Sequence, residues 1–261
     1  MAGLFDTQAE IYAAARPDYP DSLFEFLASV THHGCVWDVG TGNGQAAIKL
    51  AEIFDRVIAT DVSSQQLQQA PQRPNIKYAV TSKSITRDEL HSVIGPDHSL
   101  DLVTVAQALH WFDLDAFYGH VGAMLRRGGD RPGVLAAWCY QLCHVDADVD
   151  AVLTEFYAAT SPYWAPQRQL VDNGYRTIDF PFEPVAGQAS TGPLRFESIK
   201  RLNLGQLLAY FRSWSAVQTA MDKGVAILEE FRPAFEKSWG GDPMVVKTVT
   251  WPVHLLVGKP K

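Results

Sequence analysis

One short segment constrains the fold more than any other part of the chain. An apolar run leads directly into three alternating glycines, in the order Val36-Trp37-Asp38-Val39-Gly40-Thr41-Gly42-Asn43-Gly44. Glycine tolerates positive φ and leaves no Cβ between the backbone and a ligand, so the pattern predicts a strand, a tight turn and the start of a helix. The spacing G-x-G-x-G is tighter than the G-x-G-x-x-G of dinucleotide folds, which favours a cofactor without a pyrophosphate.

An acidic residue follows the next predicted strand. That strand, Val57–Thr60, ends in Asp61, about 20 residues after the first glycine, where nucleotide-binding folds place a carboxylate that accepts the ribose hydroxyls. The glycine turn and Asp61 are then expected to hold one nucleoside between them. The alternative is that the glycines only form a tight turn and that Asp61 caps the helix beginning at Ser63.

Apolar runs and helical patterns alternate through the first half of the chain, which predicts an α/β fold with a parallel sheet. The predicted strands are Cys35–Val39, Val57–Thr60, Ile76–Val80, Leu100–Ala106 and Val134–Trp138. The predicted helices between them are Gly44–Ile53, Ser63–Ala70, Arg87–Ile94 and Asp113–Leu125. We expect one domain over residues 1–261, because the chain is short for two domains of ordinary size.

The remaining segments are expected to cover or complete this sheet. Helices at Thr7–Ala15 and Asp21–Val30 form a predicted N-terminal flap, residues 1–30. A helical and aromatic insertion, residues 144–239, is predicted to form a cap on the substrate side. Residues 31–143 form the expected cofactor-binding core, which residues 240–261 complete with a hairpin of Met244–Thr250 and Val253–Gly258 turning near Pro252.

Composition argues against several classes of function. The formal net charge is -7 and no run of Lys or Arg is present, so a nucleic acid partner is not expected. No signal peptide or membrane span is recognisable, which predicts a cytoplasmic protein. The three cysteines are expected to be reduced, and they lack the further ligands that a structural zinc needs. We therefore predict no metal and no obligate protein partner.

With these motifs the chain resembles the class I S-adenosylmethionine-dependent methyltransferases. Asp38-Val39-Gly40-Thr41-Gly42-Asn43-Gly44 resembles their first motif and Thr60-Asp61-Val62-Ser63 their second. Within that class the chain is most similar to the trans-aconitate methyltransferase-like group that includes plant embryo-abundant-type proteins. The residues that carry this closer match are Arg16-Pro17-Asp18-Tyr19-Pro20, Ala106-Gln107-Ala108-Leu109-His110-Trp111-Phe112 and Ala137-Trp138-Cys139-Tyr140.

The resemblance implies a Rossmann-like sheet of seven strands in the order 3-2-1-4-5-7-6, with helices on both faces. It implies S-adenosylmethionine as cofactor and S-adenosylhomocysteine as product. Many relatives carry an acid after the third strand for the adenine amino group, whereas this chain reads Thr81-Ser82-Lys83-Ser84, so Ser82 is the expected contact. The expected cofactor-binding residues are Tyr12, Arg16, Asp38, Gly40, Thr41, Gly42, Gly44, Asp61, Val62, Ser82, Ala106 and Gln107.

Candidate residues for the acceptor side follow the fourth and fifth strands, whose carboxyl ends form the ligand crevice of open α/β sheets. His110 is predicted to act as a base or hydrogen-bond donor, and the alternative is a structural histidine in a loop. Trp111 is a candidate cavity wall. Gln107 is predicted to position the cofactor or the acceptor, the alternative being a purely structural role.

Arg16 in the flap is predicted to pair with the carboxylate of the cofactor's methionine end, unless it is an exposed surface residue. The expected substrate-binding residues are Tyr19, Trp111, Tyr140, Trp164 and Arg168. For most aromatic residues of the insertion, packing in a small core is the alternative, and Arg168 also reads as a surface residue.

The sequence therefore predicts an enzyme that transfers a methyl group to a small molecule, at an oxygen of a carboxylate or a hydroxyl. A carboxylate acceptor needs no base at neutral pH, whereas a hydroxyl acceptor benefits from one. Two other functions stay open at this point. One is an NAD-dependent oxidoreductase, and the other is a cofactor-binding protein without turnover.

Overall fold

A computed structural model describes residues 16–261, so the predicted helix at Thr7–Ala15 and the candidate Tyr12 lie outside the described residues. The strands are β1 (Cys35–Val39), β2 (Arg56–Asp61), β3 (Ile76–Val80), β4 (Leu102–Ala106), β5 (Val134–Tyr140), β6 (Leu194–Leu202) and β7 (Lys247–Gly258). Over the described residues these strands form one seven-stranded sheet in the order β3-β2-β1-β4-β5-β7-β6. The predicted fold class and strand order are confirmed.

The pairing of the strands follows the expected pattern. β1 pairs in parallel with β2 and β4, and Asp38 lies opposite both Ala59 and Thr104. β3 and β5 extend the parallel sheet, whereas β7 runs antiparallel to β5, with Cys139 opposite His254. The carboxyl ends of β1, β2 and β4 therefore meet at one edge, where the glycine turn, Asp61 and His110 follow.

Helices connect the strands and continue beyond them. They are α1 (Asp21–Val30), α2 (Gln45–Leu50), α3 (Ser64–Gln68), α4 (Arg87–Val93), α5 (Leu114–Met124), α6 (Ala147–Thr160), α7 (Arg168–Asp172), α8 (Leu204–Arg212), α9 (Ser215–Asp222) and α10 (Ile227–Ser238), with short 3₁₀ helices at Leu109–Trp111 and Ser161–Tyr163. Ser63, Thr86 and Asp113 cap α3, α4 and α5 through their side-chain oxygens. Within the predicted insertion, residues 204–238 form the three helices α8, α9 and α10, separated by segments at 213–214 and 223–226.

Alternate residues of the strands bury on opposite faces of the sheet, as the period of two requires. Trp37 and Val103 belong to one core cluster, together with the inner face of α5. Val36 and Leu102 belong to a second cluster, together with α1 and α2. Helices therefore cover both faces, which explains why these strands read as almost continuous apolar runs.

The predicted closing hairpin is wrong. Residues 247–258 form one continuous strand, β7, with no turn at Trp251 or Pro252. The pairing with β5 begins at Val253, so the missing N–H of Pro252 falls just outside that ladder and does not break the strand. On its other side β7 pairs with β6, a strand that the sequence analysis did not predict. The residues of β6 alternate between exposed and more buried positions, and they include Arg195, Glu197 and Lys200.

The described residues divide into two compact units. One unit comprises residues 16–18, 142–169 and 197–252, and the other comprises 19–141, 170–196 and 253–261. Residues 170–196, which lie within the predicted cap 144–239, belong to the unit that contains the glycine turn. Within residues 16–261, no helix is both long and apolar enough to cross a lipid bilayer.

Candidate functional site

Glycine occupies three positions in the turn after β1, for two different structural reasons. A Cβ on Gly40 would lie 2.8 Å from the Cβ of Ala108, and a Cβ on Gly44 would lie 2.7 Å from the hydroxyl of Tyr78. Both glycines are therefore required by close packing. Gly42 has a φ of +58°, and the nearest atom to an added Cβ would be Gln66 Oε1 at 3.8 Å. Gly42 thus exposes bare backbone to open space, as a nucleoside cradle requires.

Asp61 is joined to this turn by its carboxylate. Its Oδ2 accepts the backbone N–H of Gly42 at 2.8 Å, and its Oδ1 accepts the backbone N–H of Ser63 at 2.8 Å. Each carboxylate oxygen has a second lone pair, so two acceptor positions remain for the hydroxyls of a ribose. The capping of α3 falls to the Ser63 side chain, whose Oγ accepts the N–H of Gln66. Asp61 therefore organises the glycine turn while Ser63 caps the helix.

Asp38 stabilises the turn from inside the protein. Its carboxylate is fully buried and accepts hydrogen bonds from Thr41 Oγ1 at 2.5 Å and Thr104 Oγ1 at 2.6 Å. Burial raises the pKa of Asp38 to about 6, while the two threonine hydroxyls oppose that rise. The backbone N–H of Thr41 donates to Thr60 O at 3.0 Å, so the turn is also tied to β2.

The region around the ends of β2 and β3 is apolar and open. Val62 is 62% exposed and Val80, which lies opposite Asp61 in the ladder, is 54% exposed. Ser82 donates its backbone N–H and its hydroxyl to the carboxylate of Glu89, at 2.8 Å and 2.6 Å. The segment Thr81-Ser82-Lys83-Ser84 contains no acid. An acid nevertheless lies beside Ser82, because α4 supplies Glu89.

The ends of β4 and β5 are linked by the side chain of Gln107, which follows Ala106 at the end of β4. Its Oε1 accepts the backbone N–H of Tyr140 at 2.8 Å, and its Nε2 donates to the backbone carbonyl of Tyr140 at 3.4 Å. Gln107 itself has a φ of +57°, which is unusual for a residue other than glycine. Both ends of the Gln107 amide therefore hold strand backbone.

His110 lies in the 3₁₀ helix that follows β4 and is 9% exposed. Its Nδ1 lies 3.0 Å from the hydroxyl of Tyr175, and its ring lies 5.0 Å from that of Trp111 between centroids. Trp111 is 51% exposed, so a large aromatic surface is open beside a buried imidazole. Tyr19 packs edge-on against Trp138 at 5.3 Å and also contacts the ring of Tyr140.

The other unit holds the predicted residues Arg16, Trp164 and Arg168. The Arg168 guanidinium lies 4.5 Å from the centroid of the Trp164 ring, and its Nε donates to the Tyr157 hydroxyl at 3.0 Å. Trp164 Nε1 donates to Thr160 Oγ1 at 3.0 Å. The backbone carbonyl of Arg16 accepts a hydrogen bond from Lys200. Trp164 and Arg168 thus form a stacked cation and aromatic pair.

Most of the predicted site residues between Asp38 and Tyr140 therefore lie at one edge of the sheet. Sequence reasoning missed three partners. Thr104 had a recognisable signal, since it is a polar residue in a buried strand opposite Asp38. Glu89 and Tyr175 had none, because they are brought to Ser82 and His110 by packing of later segments. Over residues 16–261, no cluster of three or more His, Cys, Asp or Glu side chains suits a metal ion.

Comparison with known proteins agrees with this geometry. A family model described as a methyltransferase domain matches residues 36–129. A methyltransferase of Dictyostelium discoideum is 29% identical over 98% of this chain and 94% of its own length. A methyltransferase of Pestalotiopsis fici is 31% identical over 56% of this chain and 46% of its own length.

A solved structure supports the same assignment over nearly the whole chain. The protein from Anaeromyxobacter dehalogenans, described as a type II methyltransferase, is 36% identical, with a TM-score of 0.79. The match covers 94% of this chain and 99% of that one. The open backbone at Gly42 and the remaining acceptor positions of Asp61 fit the nucleoside of S-adenosylmethionine. The chain belongs to the class I S-adenosylmethionine-dependent methyltransferases.

Proposed function

We propose that this methyltransferase acts on a small molecule and methylates an oxygen atom, either of a carboxylate or of a hydroxyl. The observation that carries the proposal is the placement of His110 and the half-exposed Trp111 directly after β4, at the same sheet edge as Gly42 and Asp61. In open α/β sheets this edge forms the ligand crevice. An acceptor held at Trp111 is then near the residues proposed to hold the cofactor.

On the cofactor side, we assign the ribose hydroxyls to Asp61 and the approach of the nucleoside to the backbone at Gly42. Val62 supplies an exposed apolar surface next to Asp61 for the adenine, and the Ser82 hydroxyl oxygen remains able to accept a hydrogen bond there. Asp38 acts from behind the turn, since its carboxylate holds Thr41. Arg16 remains our candidate for the methionine carboxylate, on the chemistry of its guanidinium.

On the acceptor side, the bound cofactor supplies an electrophilic methyl group on a sulfonium, and the chain must orient an oxygen in line with it. We assign His110 a hydrogen bond to the acceptor and the half-exposed Trp111 an apolar contact with the body of the acceptor. The side chain of Gln107 holds Tyr140, so we assign Gln107 the role of keeping the ends of β4 and β5 in place. Trp164 and Arg168 remain candidates for recognising an acidic acceptor, on the chemistry of their stacked cation and aromatic pair.

The test combines binding and turnover. Isothermal titration calorimetry with S-adenosylhomocysteine should give saturable binding, with NAD as the negative control. Transfer of a labelled methyl group is then followed over a panel of small carboxylic acids, phenols, alcohols, amines and thiols. Turnover on acids or hydroxyl compounds supports the proposal. Turnover restricted to amines or thiols contradicts it, and binding without turnover on a broad panel favours a cofactor-binding protein.

A further inference from the structure

His110 contacts Tyr175, a residue that the sequence analysis did not place near it. Tyr175 is fully buried, and its hydroxyl lies 3.0 Å from His110 Nδ1. Its backbone has a φ of +60°, directly after Gly174 at +59°. A tyrosine in this left-handed region is strained and persists only where the surroundings hold it. In this backbone conformation the hydroxyl of Tyr175 lies within hydrogen-bond distance of His110.

Several contacts hold Tyr175 in this conformation. Its backbone N–H donates to Leu170 O at 2.9 Å, and its carbonyl accepts the N–H of Ile178 at 3.2 Å. Its ring belongs to the apolar cluster that also contains Leu109 and Cys139. The phenol is therefore fixed by backbone hydrogen bonds and by packing, and its hydroxyl has little freedom to choose another partner.

The direction of the hydrogen bond follows from the burial of the phenol. Burial raises the pKa of Tyr175 well above its ordinary value, so the hydroxyl keeps its proton. Leaving a buried O–H without an acceptor costs free energy, and among the described residues the acceptor within hydrogen-bond distance of this hydroxyl is His110 Nδ1. The hydroxyl therefore donates, and Nδ1 accepts.

We propose that Tyr175 is a positioning residue that holds His110 in the tautomer with its proton on Nε2. A neutral imidazole has one proton, so an accepting Nδ1 leaves Nε2 as an N–H donor. His110 then carries its proton on Nε2 and has no lone pair there with which to remove a proton. The opposite tautomer would point Nδ1–H at the phenol oxygen and leave the phenol proton buried without an acceptor.

This tautomer selects the chemical class of acceptor, a conclusion that rests on the proposed function. When a carboxylate oxygen forms the new C–O bond, the S–C bond breaks, its electron pair returns to sulfur, and no proton is released. When a hydroxyl reacts, one proton must leave, and a base is needed to take it. An Nε2–H donor stabilises an anionic oxygen but does not serve as that base. The geometry therefore favours an acceptor that is already an anion, such as a carboxylate.

The tautomer is measured directly on the full chain labelled with ¹⁵N in its histidine rings. Long-range ¹H–¹⁵N correlation spectra distinguish a protonated ring nitrogen from a bare one, and the spectrum of His110→Gln identifies the His110 signals by their loss. In the wild type we expect a protonated Nε2 and a bare Nδ1. In Tyr175→Phe, which removes only the hydroxyl, we expect a mixture of tautomers.

Tyr118→Phe is the matched control. The Tyr118 hydroxyl is buried in the same apolar cluster and has no hydrogen-bond partner among the described residues. Its removal should leave the His110 signals unchanged. A wild-type proton on Nδ1, or an unchanged tautomer in Tyr175→Phe, would overturn the proposal. The wild-type spectrum decides even if Tyr175→Phe does not fold, and it needs no acceptor, so this result is independent of whether O-methylation is found.

Discussion

The carboxylate of Asp61 accepts the backbone N–H of Gly42 at 2.8 Å. This bond joins the end of β2 to the turn after β1, so the acid and the glycine turn form one structural unit. Asp61 also accepts the N–H of Ser63, and the helix cap is made by the Ser63 side chain. The helix-cap role that the sequence left open for Asp61 is thus filled by the Ser63 side chain.

Gly42→Val should abolish binding of S-adenosylhomocysteine while the chain still folds. Among the described residues the atom nearest to an added Cβ is Gln66 Oε1 at 3.8 Å, so we expect the branched side chain to occupy the space that we assign to the cofactor. Calorimetry measures the affinity, and circular dichroism measures the fold. Gly187→Val is the matched control, because Gly187 has a φ of +81° and open space around its Cβ position but lies outside the turn. Unchanged affinity in a folded Gly42→Val protein would remove this turn from the site.

Asp61→Ala should weaken cofactor binding by roughly 1.5 to 3 kcal/mol, the range for hydrogen bonds to a charged group. Part of this loss comes from release of the Gly42 N–H, which Asp61 holds. Ser63→Ala is the control, since it removes the cap of α3 and should cost about 1 kcal/mol of stability with little change in affinity. If Asp61→Ala loses stability but retains full affinity, the ribose assignment is wrong.

Asp38 should make the stability depend on pH in an unusual direction for a carboxylate. Its pKa is raised from 3.8 to about 6 by burial, so between these values the native state holds a proton that the unfolded state has lost. The free energy of unfolding contributed by Asp38 therefore falls as the pH rises from about 4 to about 6, by on the order of 3 kcal/mol. Above pH 6 this contribution should stay constant.

Urea unfolding of the wild type and of Asp38→Asn at several pH values isolates this effect. The difference between the two proteins should change over the window between about pH 4 and about pH 6. Thr104→Val removes a donor that favours the ionised form, so it should extend the upper end of this window to higher pH and leave the lower end unchanged. A difference that does not vary with pH would show that Asp38 keeps an ordinary pKa in the folded state.

His110→Ala should reduce turnover by about tenfold or less if the acceptor is a carboxylate, because only a hydrogen bond and packing are lost. The rate profile should then be flat above about pH 6, since a carboxylate has no proton to lose there. His110→Gln, which keeps a side-chain N–H donor, should recover part of the rate. A loss of about a hundredfold or more, with an ascending limb near about pH 6.5 in the wild type only, would instead identify His110 as a base for a hydroxyl acceptor.

Local pattern was sufficient for the first half of the sheet. The bounds of β1 and β3 match the prediction, and β2, β4 and β5 differ from it by a few residues at their ends. β1, β2, β4 and β5 are buried along most of their length, and turns and helices bound these strands, so each element is specified by the residues within it. The same reasoning failed at Pro252, which reads as a turn but lies inside β7, because the ladder with β5 starts one residue later.

The sequence by itself determined the strand, glycine turn and acid that identify the fold and its cofactor, since each is a short pattern whose geometry depends on neighbouring residues. Only the tertiary structure decided the partners of that framework. Tyr175 reaches His110 across 65 positions of sequence, from a segment that reads as part of the cap but packs with the sheet. Periodicity and propensity act over a few residues, whereas this contact depends on which distant segment fills the space beside β4.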